Sequence, residues 1–171
     1  MKRIALSAIA VVLALSAFAQ TSRRTETIRM DRYTQWSSAC IVYTELITDL
    51  VDGSRWGNLE LQVTGEQNYS CSNYVPDKEI PQLLAVLEYA QSELVSQKPA
   101  NMLSATYKAT TGCSIGLTYF DESLKKGWQL VVQTDELDRR SAAFVKVSDL
   151  GSFIQHVKDC QAKIDAFVAG N

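Results

Sequence analysis

The chain has 171 residues, and its 17 lysine and arginine residues against 19 aspartate and glutamate residues give a net charge of −2 with its single histidine neutral. This length is enough for about one domain with a buried core. The charge balance argues against the basic face of a nucleic-acid-binding protein and the polybasic segment of a membrane-surface protein.

Residues 1–19 have the pattern of a secretory signal peptide. Lys2 and Arg3 follow Met1, a charge-free apolar run extends from residue 4 to 15, and Ala17 and Ala19 precede Gln20. Signal peptidase requires small side chains at those two positions, and the apolar run is short for a permanent membrane span. We predict cleavage between Ala19 and Gln20, leaving a single exported domain, 20–171, in a bacterial periplasm or outside the cell.

The first half of the exported chain reads mainly as β-strands. The segment from Ala39 to Ile47 is rich in β-branched and aromatic residues, and Leu59, Leu61 and Val63 alternate with polar residues. Turn-forming residues 52–54 separate the two segments. These patterns predict a hairpin with one apolar face.

Apolar residues then recur at helical spacing from Ile80 to Val95, which predicts the first helix. Pro81 fits only the first turn of such a helix, where backbone N–H groups have no intrahelical partner. The pair at 98–99, Lys-Pro, is predicted to end it.

The second half repeats this order of patterns. Strand-like segments run from Cys113 to Phe120 and around Trp128. A second amphipathic helix is predicted from Leu150 to Val168, with Ser148 as its N-cap.

Residues 80–91 align with residues 150–161 at an offset of 70, and residues 37–40 align with 110–113 at an offset of 73. The alignment predicts pseudo-repeats at about 28–97 and 101–169, each with four strands and a helix. The predicted fold is therefore α+β: two tandem ββββα units, with an antiparallel sheet or sheets and two amphipathic helices packed on one face.

Four cysteines occur in the exported part: Cys40, Cys71, Cys113 and Cys160. An even number in an oxidising compartment predicts two disulfides. No paired metal-ligand spacing is present, so we predict no metal site. Three pairings are possible; we favour Cys40–Cys71 with Cys113–Cys160, because each bond then lies within one unit.

No catalytic or cofactor-binding constellation is recognisable. His156 is the only histidine, and its place at the edge of the second helix's apolar stripe predicts a boundary residue. No serine lies in a nucleophile-elbow motif. Acidic residues that could form a catalytic pair fall in predicted loops: Asp121, Glu122, Asp135, Glu136 and Asp138.

Aromatic residues are concentrated in the first unit: Tyr33, Trp36, Tyr43, Trp56, Tyr69 and Tyr74. On an exposed sheet face they would form a surface for sugar stacking or protein binding. The leading hypothesis is an exported, non-catalytic binding protein, stabilised by disulfides, whose partner is a protein or small ligand. The alternatives are a periplasmic carrier of a small apolar ligand and a hydrolase using His156.

Overall fold

The structure, a computed structural model, describes residues 25–33, 40–65, 69–121 and 126–170. The predicted signal peptide and its Ala19–Gln20 cleavage site lie outside these residues. The first unit consists of β1 (Thr25–Tyr33), β2 (Cys40–Asp49), β3 (Arg55–Thr64), β4 (Ser70–Pro76) and α1 (Ile80–Tyr89). The second consists of β5 (Leu103–Lys108), β6 (Ser114–Phe120), β7 (Gly127–Gln133), β8 (Ala142–Lys146) and α2 (Leu150–Val168).

The predicted α+β fold of two tandem ββββα units is confirmed. The strands form two four-stranded antiparallel sheets, ordered β1-β2-β3-β4 (sheet 1) and β5-β6-β7-β8 (sheet 2). Strand alternation sends every second side chain to the helix-facing side, so the predicted core residues Leu59, Leu61 and Val63 are buried. The turn between β2 and β3 has Gly53 at a φ of 74°, which glycine adopts without steric cost.

The helices begin as expected but differ from the predictions in detail. Pro81 lies in the first turn of α1. The α-helical part of α1 ends at Tyr89 and is followed by a single π turn, 90–94. The helix therefore stops before the Lys-Pro pair, and the predicted end at 98–99 is wrong. Ser148 is not the N-cap of α2, because the chain already coils in a 3₁₀ turn from Val147 to Asp149 and the helix starts after it.

Each helix packs mainly on the sheet of the other unit. Helix α1 lies against β5 and β6, and α2 lies against β3 and β2. The two helices also pack together in antiparallel fashion: Lys158 Nζ is 2.7 Å from Glu88 Oε1, and Gly151 lies beside the side chain of Gln91. Buried apolar residues of both units therefore form one shared core. No helix among the described residues has both the length and the apolar character needed to span a bilayer.

Polar side chains form hydrogen bonds across the contact between the two units, called here the seam. Asn73 Nδ2 donates to the backbone carbonyls of Thr111 (3.0 Å) and Thr134 (2.8 Å). Glu79 accepts hydrogen bonds from the Tyr107 hydroxyl (2.7 Å) and from the backbone N–H and hydroxyl of Thr110. Partial burial acts to raise the pKa of Glu79, but the bonds from Thr110 and Tyr107 outweigh it and lower that pKa. The carboxylate of Glu79 is thus stabilised by the second unit.

The predicted disulfides are absent, since none of the four cysteines is bonded to another. Cys40 and Cys71 lie on either side of Val63, which pairs with both. Two strand spacings separate their Cα atoms by about 9.6 Å, beyond the roughly 7 Å that a disulfide spans. Cys113 and Cys160 have separate neighbours: the Cys113 thiol lies 3.4 Å from the Tyr74 carbonyl, and the Cys160 thiol lies 3.5 Å from His156 Nε2.

Candidate binding surface

The side of sheet 1 that faces away from the helices carries an unusual set of side chains. The strand register places them on one face, called here the outer surface of sheet 1: Thr27, Arg29, Tyr43, Glu45, Trp56, Asn58, Glu60, Ser72 and Tyr74. Neither helix packs on this face, because both lie on the inner sides of the sheets. The surface combines aromatic rings, carboxylates, an amide and a guanidinium.

A charged cluster lies across the three strands β1, β2 and β3. Arg29 Nε is 2.5 Å from Glu60 Oε2 and 3.9 Å from Glu45 Oε1. Asn58 Nδ2 donates to Glu45 Oε2 at 3.0 Å. The side chain of Glu60 is only 9% exposed and that of Glu45 14%, whereas Arg29 is 58% exposed. One guanidinium on the sheet edge thus pairs with two largely buried carboxylates.

The environment of Glu60 favours its protonated form more than water does, because its pKa is raised overall. Burial raises the pKa of Glu60, Arg29 opposes that rise, and the neighbouring carboxylate of Glu45 adds to it. Because Arg29 Nε lies 2.5 Å from Glu60 Oε2, this ion pair restrains the guanidinium on the surface, although 58% of the Arg29 side chain stays exposed.

Shallow depressions open along the same surface. One lies between Arg29, Glu60 and Tyr74. Another lies at the end of the sheet, beside the turn that follows β4, and is lined mainly by Trp56, Asn58, Tyr74, Pro76, Asp77 and Lys78. Tyr74 lines both depressions, and its side chain is 42% exposed. The two depressions therefore meet at this ring.

The second unit carries different side chains at equivalent positions of its outer face, where Phe120 and Phe144 form an edge-to-face pair with ring centroids 5.9 Å apart. At the offset of 73, the buried Cys40 corresponds to the buried Cys113, so the inner faces follow one plan. On the outer face, Glu45 corresponds to Thr118 and Tyr43 to Gly116. The corresponding buried positions account for the common fold of the two units. The charged and aromatic side chains on the outer face of sheet 1 are not required for that fold.

Some predicted aromatic residues come together here and others do not. Trp56, Tyr74 and Tyr43 lie on the outer surface of sheet 1. Tyr69 lies at the seam, where its hydroxyl donates to Asp138. Trp36 and the side chain of Tyr33 lie outside the described part of the structure. Glu45 and Glu60 were not singled out from the sequence. They are diagonal neighbours on the outer face, because Glu45 pairs with Asn58 and Glu60 with Tyr43, and that register cannot be read from the turn residues 52–54 alone.

The other sequence candidates do not join this surface. His156 lies on α2, on the opposite side of sheet 1, where its Nε2 is 3.5 Å from the buried thiol of Cys160. Asp138 forms hydrogen bonds with the Arg140 side chain, which lower the pKa of Asp138 to about 2 and keep it a carboxylate. Glu122 lies outside the described residues. Within the described ranges no group of three or more histidine, cysteine or acidic residues could hold a metal ion.

No protein-family model and no curated protein matches the chain. The fold and the surface define its class: an α+β protein of two interlocked ββββα units, in which the outer face of sheet 1 combines aromatic side chains with the Arg29–Glu60 ion pair. Any statement about its function therefore depends on the chemistry of that surface.

Proposed function

We propose that this is an exported, non-catalytic binding protein that holds its partner against the outer surface of sheet 1. The observation that carries the proposal is the difference between the two units, which share an internal plan but differ in outer-face chemistry. Export is supported by the signal-peptide pattern of residues 1–19. Binding is supported by the combination of an exposed tyrosine, a half-buried tryptophan and an oriented arginine, since these residue types are enriched in interfaces.

The shape of the surface also favours binding. The depressions are open and lined by polar as well as aromatic side chains. A partner that covers them would contact several strands at once. An apolar-ligand carrier would instead use the space between helices and sheets, which in the described residues contains fully buried side chains such as Phe153 and Leu83. The outer surface of sheet 1 is therefore the better-supported site.

The hydrolase alternative has less support from the geometry. A general base needs a nucleophile or substrate proton within hydrogen-bond reach and access to solvent. His156 Nε2 lies 3.5 Å from the thiol of Cys160, which is fully buried in the core. This arrangement suits a packed helix better than a site that admits substrate.

The proposal can be tested with a matched pair of variants. Tyr74 and Phe144 occupy equivalent positions at the offset of 70, both point outward, and they are 42% and 40% exposed. We expect Tyr74→Ala to weaken capture of the partner from an envelope extract by at least about tenfold, the effect of losing an interface anchor. Phe144→Ala should leave capture unchanged.

Circular dichroism and urea unfolding of both variants serve as the folding control. Equal loss of capture by the two variants, or wild-type capture by a folded Tyr74→Ala protein, would contradict the proposal.

A further inference from the structure

We infer that the ligand is a carbohydrate chain, held at the end of the outer surface of sheet 1 where Trp56 and Tyr74 line one depression. This inference rests on the proposed function and specifies the chemistry of the ligand. The observations that support it are the placement of the two rings, the polar groups between and around them, and the way in which the sheet backbone is already paired.

The two aromatic residues form separate platforms along the sheet. Tyr74 pairs with Glu60, which lies four residues after Trp56 on β3. Strand geometry therefore separates the Cα atoms of Trp56 and Tyr74 by about 14 Å. Aromatic rings offer an apolar face with a polar edge, which suits the C–H face of a pyranose ring. Two platforms at this spacing suit several linked sugars better than one monosaccharide.

Polar side chains surround the same depression. Asn58 lies between the two rings in the register, and its Nδ2 is directed to Glu45, which fixes the orientation of the amide. Asp77, Lys78 and Arg55 lie on the rim, together with the apolar Val168 at the end of α2. This rim offers both donors and acceptors. A sugar hydroxyl both donates and accepts hydrogen bonds, so a mixed rim suits it.

The backbone pairing disfavours an extended peptide at this position. Strand β3 is hydrogen-bonded on both sides, by β2 and β4. At the far edge of β4, the Tyr74 carbonyl accepts a hydrogen bond from the Thr111 hydroxyl and lies 3.4 Å from the Cys113 thiol. A peptide could therefore not gain the main-chain hydrogen bonds of strand addition beside the aromatic rings. A carbohydrate needs no such bonds.

The test is isothermal titration of the purified exported protein with three soluble neutral tetrasaccharides: chitotetraose, cellotetraose and maltotetraose. We expect at least one to bind, with an affinity about tenfold or more weaker for Tyr74→Ala and unchanged for Phe144→Ala. Tyr74 is preferred to Trp56 for substitution because it is the more exposed ring and its loss disturbs packing less.

Two results would overturn the inference: no heat of binding from any tetrasaccharide at millimolar concentration, or binding that a folded Tyr74→Ala variant retains. If the tetrasaccharides fail while capture of a protein from the extract still depends on Tyr74, the carbohydrate inference is wrong and the proposed binding function stands. If both fail, the outer surface of sheet 1 is not the binding site.

Discussion

Replacing Gly57 by alanine should destabilise the protein through a contact between the two units. Gly57 lies in β3 on the helix-facing side of sheet 1, beneath Ile164 of α2. An added Cβ would lie 2.7 and 2.8 Å from the two Cγ atoms of Ile164 and 2.9 Å from the backbone oxygen of Glu45. Because packed carbon atoms lie about 3.5–4.0 Å apart, the helix would have to retreat by roughly 1 Å. Overpacking of this kind costs about 1–3 kcal/mol of unfolding free energy.

The decisive form of this experiment is a double-mutant cycle. Ile164→Ala removes both crowding atoms and should alone cost about 2–5 kcal/mol. In that background Gly57→Ala should cost less than in the wild type, giving a coupling of about 1 kcal/mol or more. Phe153→Leu is the matched control, since this buried residue lies on the same helix about 16 Å from Ile164 and should combine additively with Gly57→Ala.

Urea unfolding followed by circular dichroism measures all the variants of the cycle. If Gly57→Ala and Ile164→Ala were additive within about 0.5 kcal/mol, Ile164 would not lie over Gly57, and the packing of the second unit's helix on the first unit's sheet would be refuted.

Three further predictions concern the seam and the thiols. Asn73→Ala removes the amide that donates to two backbone carbonyls of the second unit, and it should lower the free energy of unfolding by about 1–3 kcal/mol. A decrease of less than about 0.5 kcal/mol in urea unfolding would show that this amide does not bridge the units. Because the pKa of Glu79 is lowered by folding, its contribution to stability is present above the unfolded-state pKa and lost as the pH falls through the folded pKa. The stability difference between wild type and Glu79→Gln should therefore shrink below about pH 4, and a difference that stays constant from pH 7 to 3 would contradict this. When the protein is denatured without a reductant, mass spectrometry should show four iodoacetamide groups added to it, and fewer than four would reveal a disulfide. In the native protein Cys71 should react first. It is only half-buried, whereas burial raises the pKa of the Cys40 thiol to about 12.

The features predicted best from the sequence are those set by short-range periodicity. The alternation at Leu59, Leu61 and Val63 places them correctly in the core, since a strand's side-chain period is fixed. The spacing of apolar residues from Ile80 likewise locates α1, and the offsets of 70 and 73 predict two units of the same plan. Each of these signals depends on neighbours within one element or on the order of elements.

The features missed depend on contacts between elements. The pairing of Cys40 with Cys71 looked reasonable along the chain, but the strand register puts β3 between them. Glu45 and Glu60 are 15 positions apart and meet only through the hairpin register and the common partner Arg29. The packing of each helix on the other unit's sheet cannot be read from the spacing of apolar residues in the sequence. An apolar stripe on a helix looks the same whichever sheet it covers.

We propose that the outer surface of sheet 1, and not that of sheet 2, contacts the partner. Site-specific photo-crosslinking tests it most directly, with a benzophenone side chain introduced at Tyr74 in one protein and at Phe144 in the other. A benzophenone reacts with C–H bonds of proteins and glycans alike, so the result does not depend on the class of ligand. We predict a crosslinked product in the envelope extract from position 74 and none from position 144. Crosslinking from position 144 alone, or equally from both, would contradict the account.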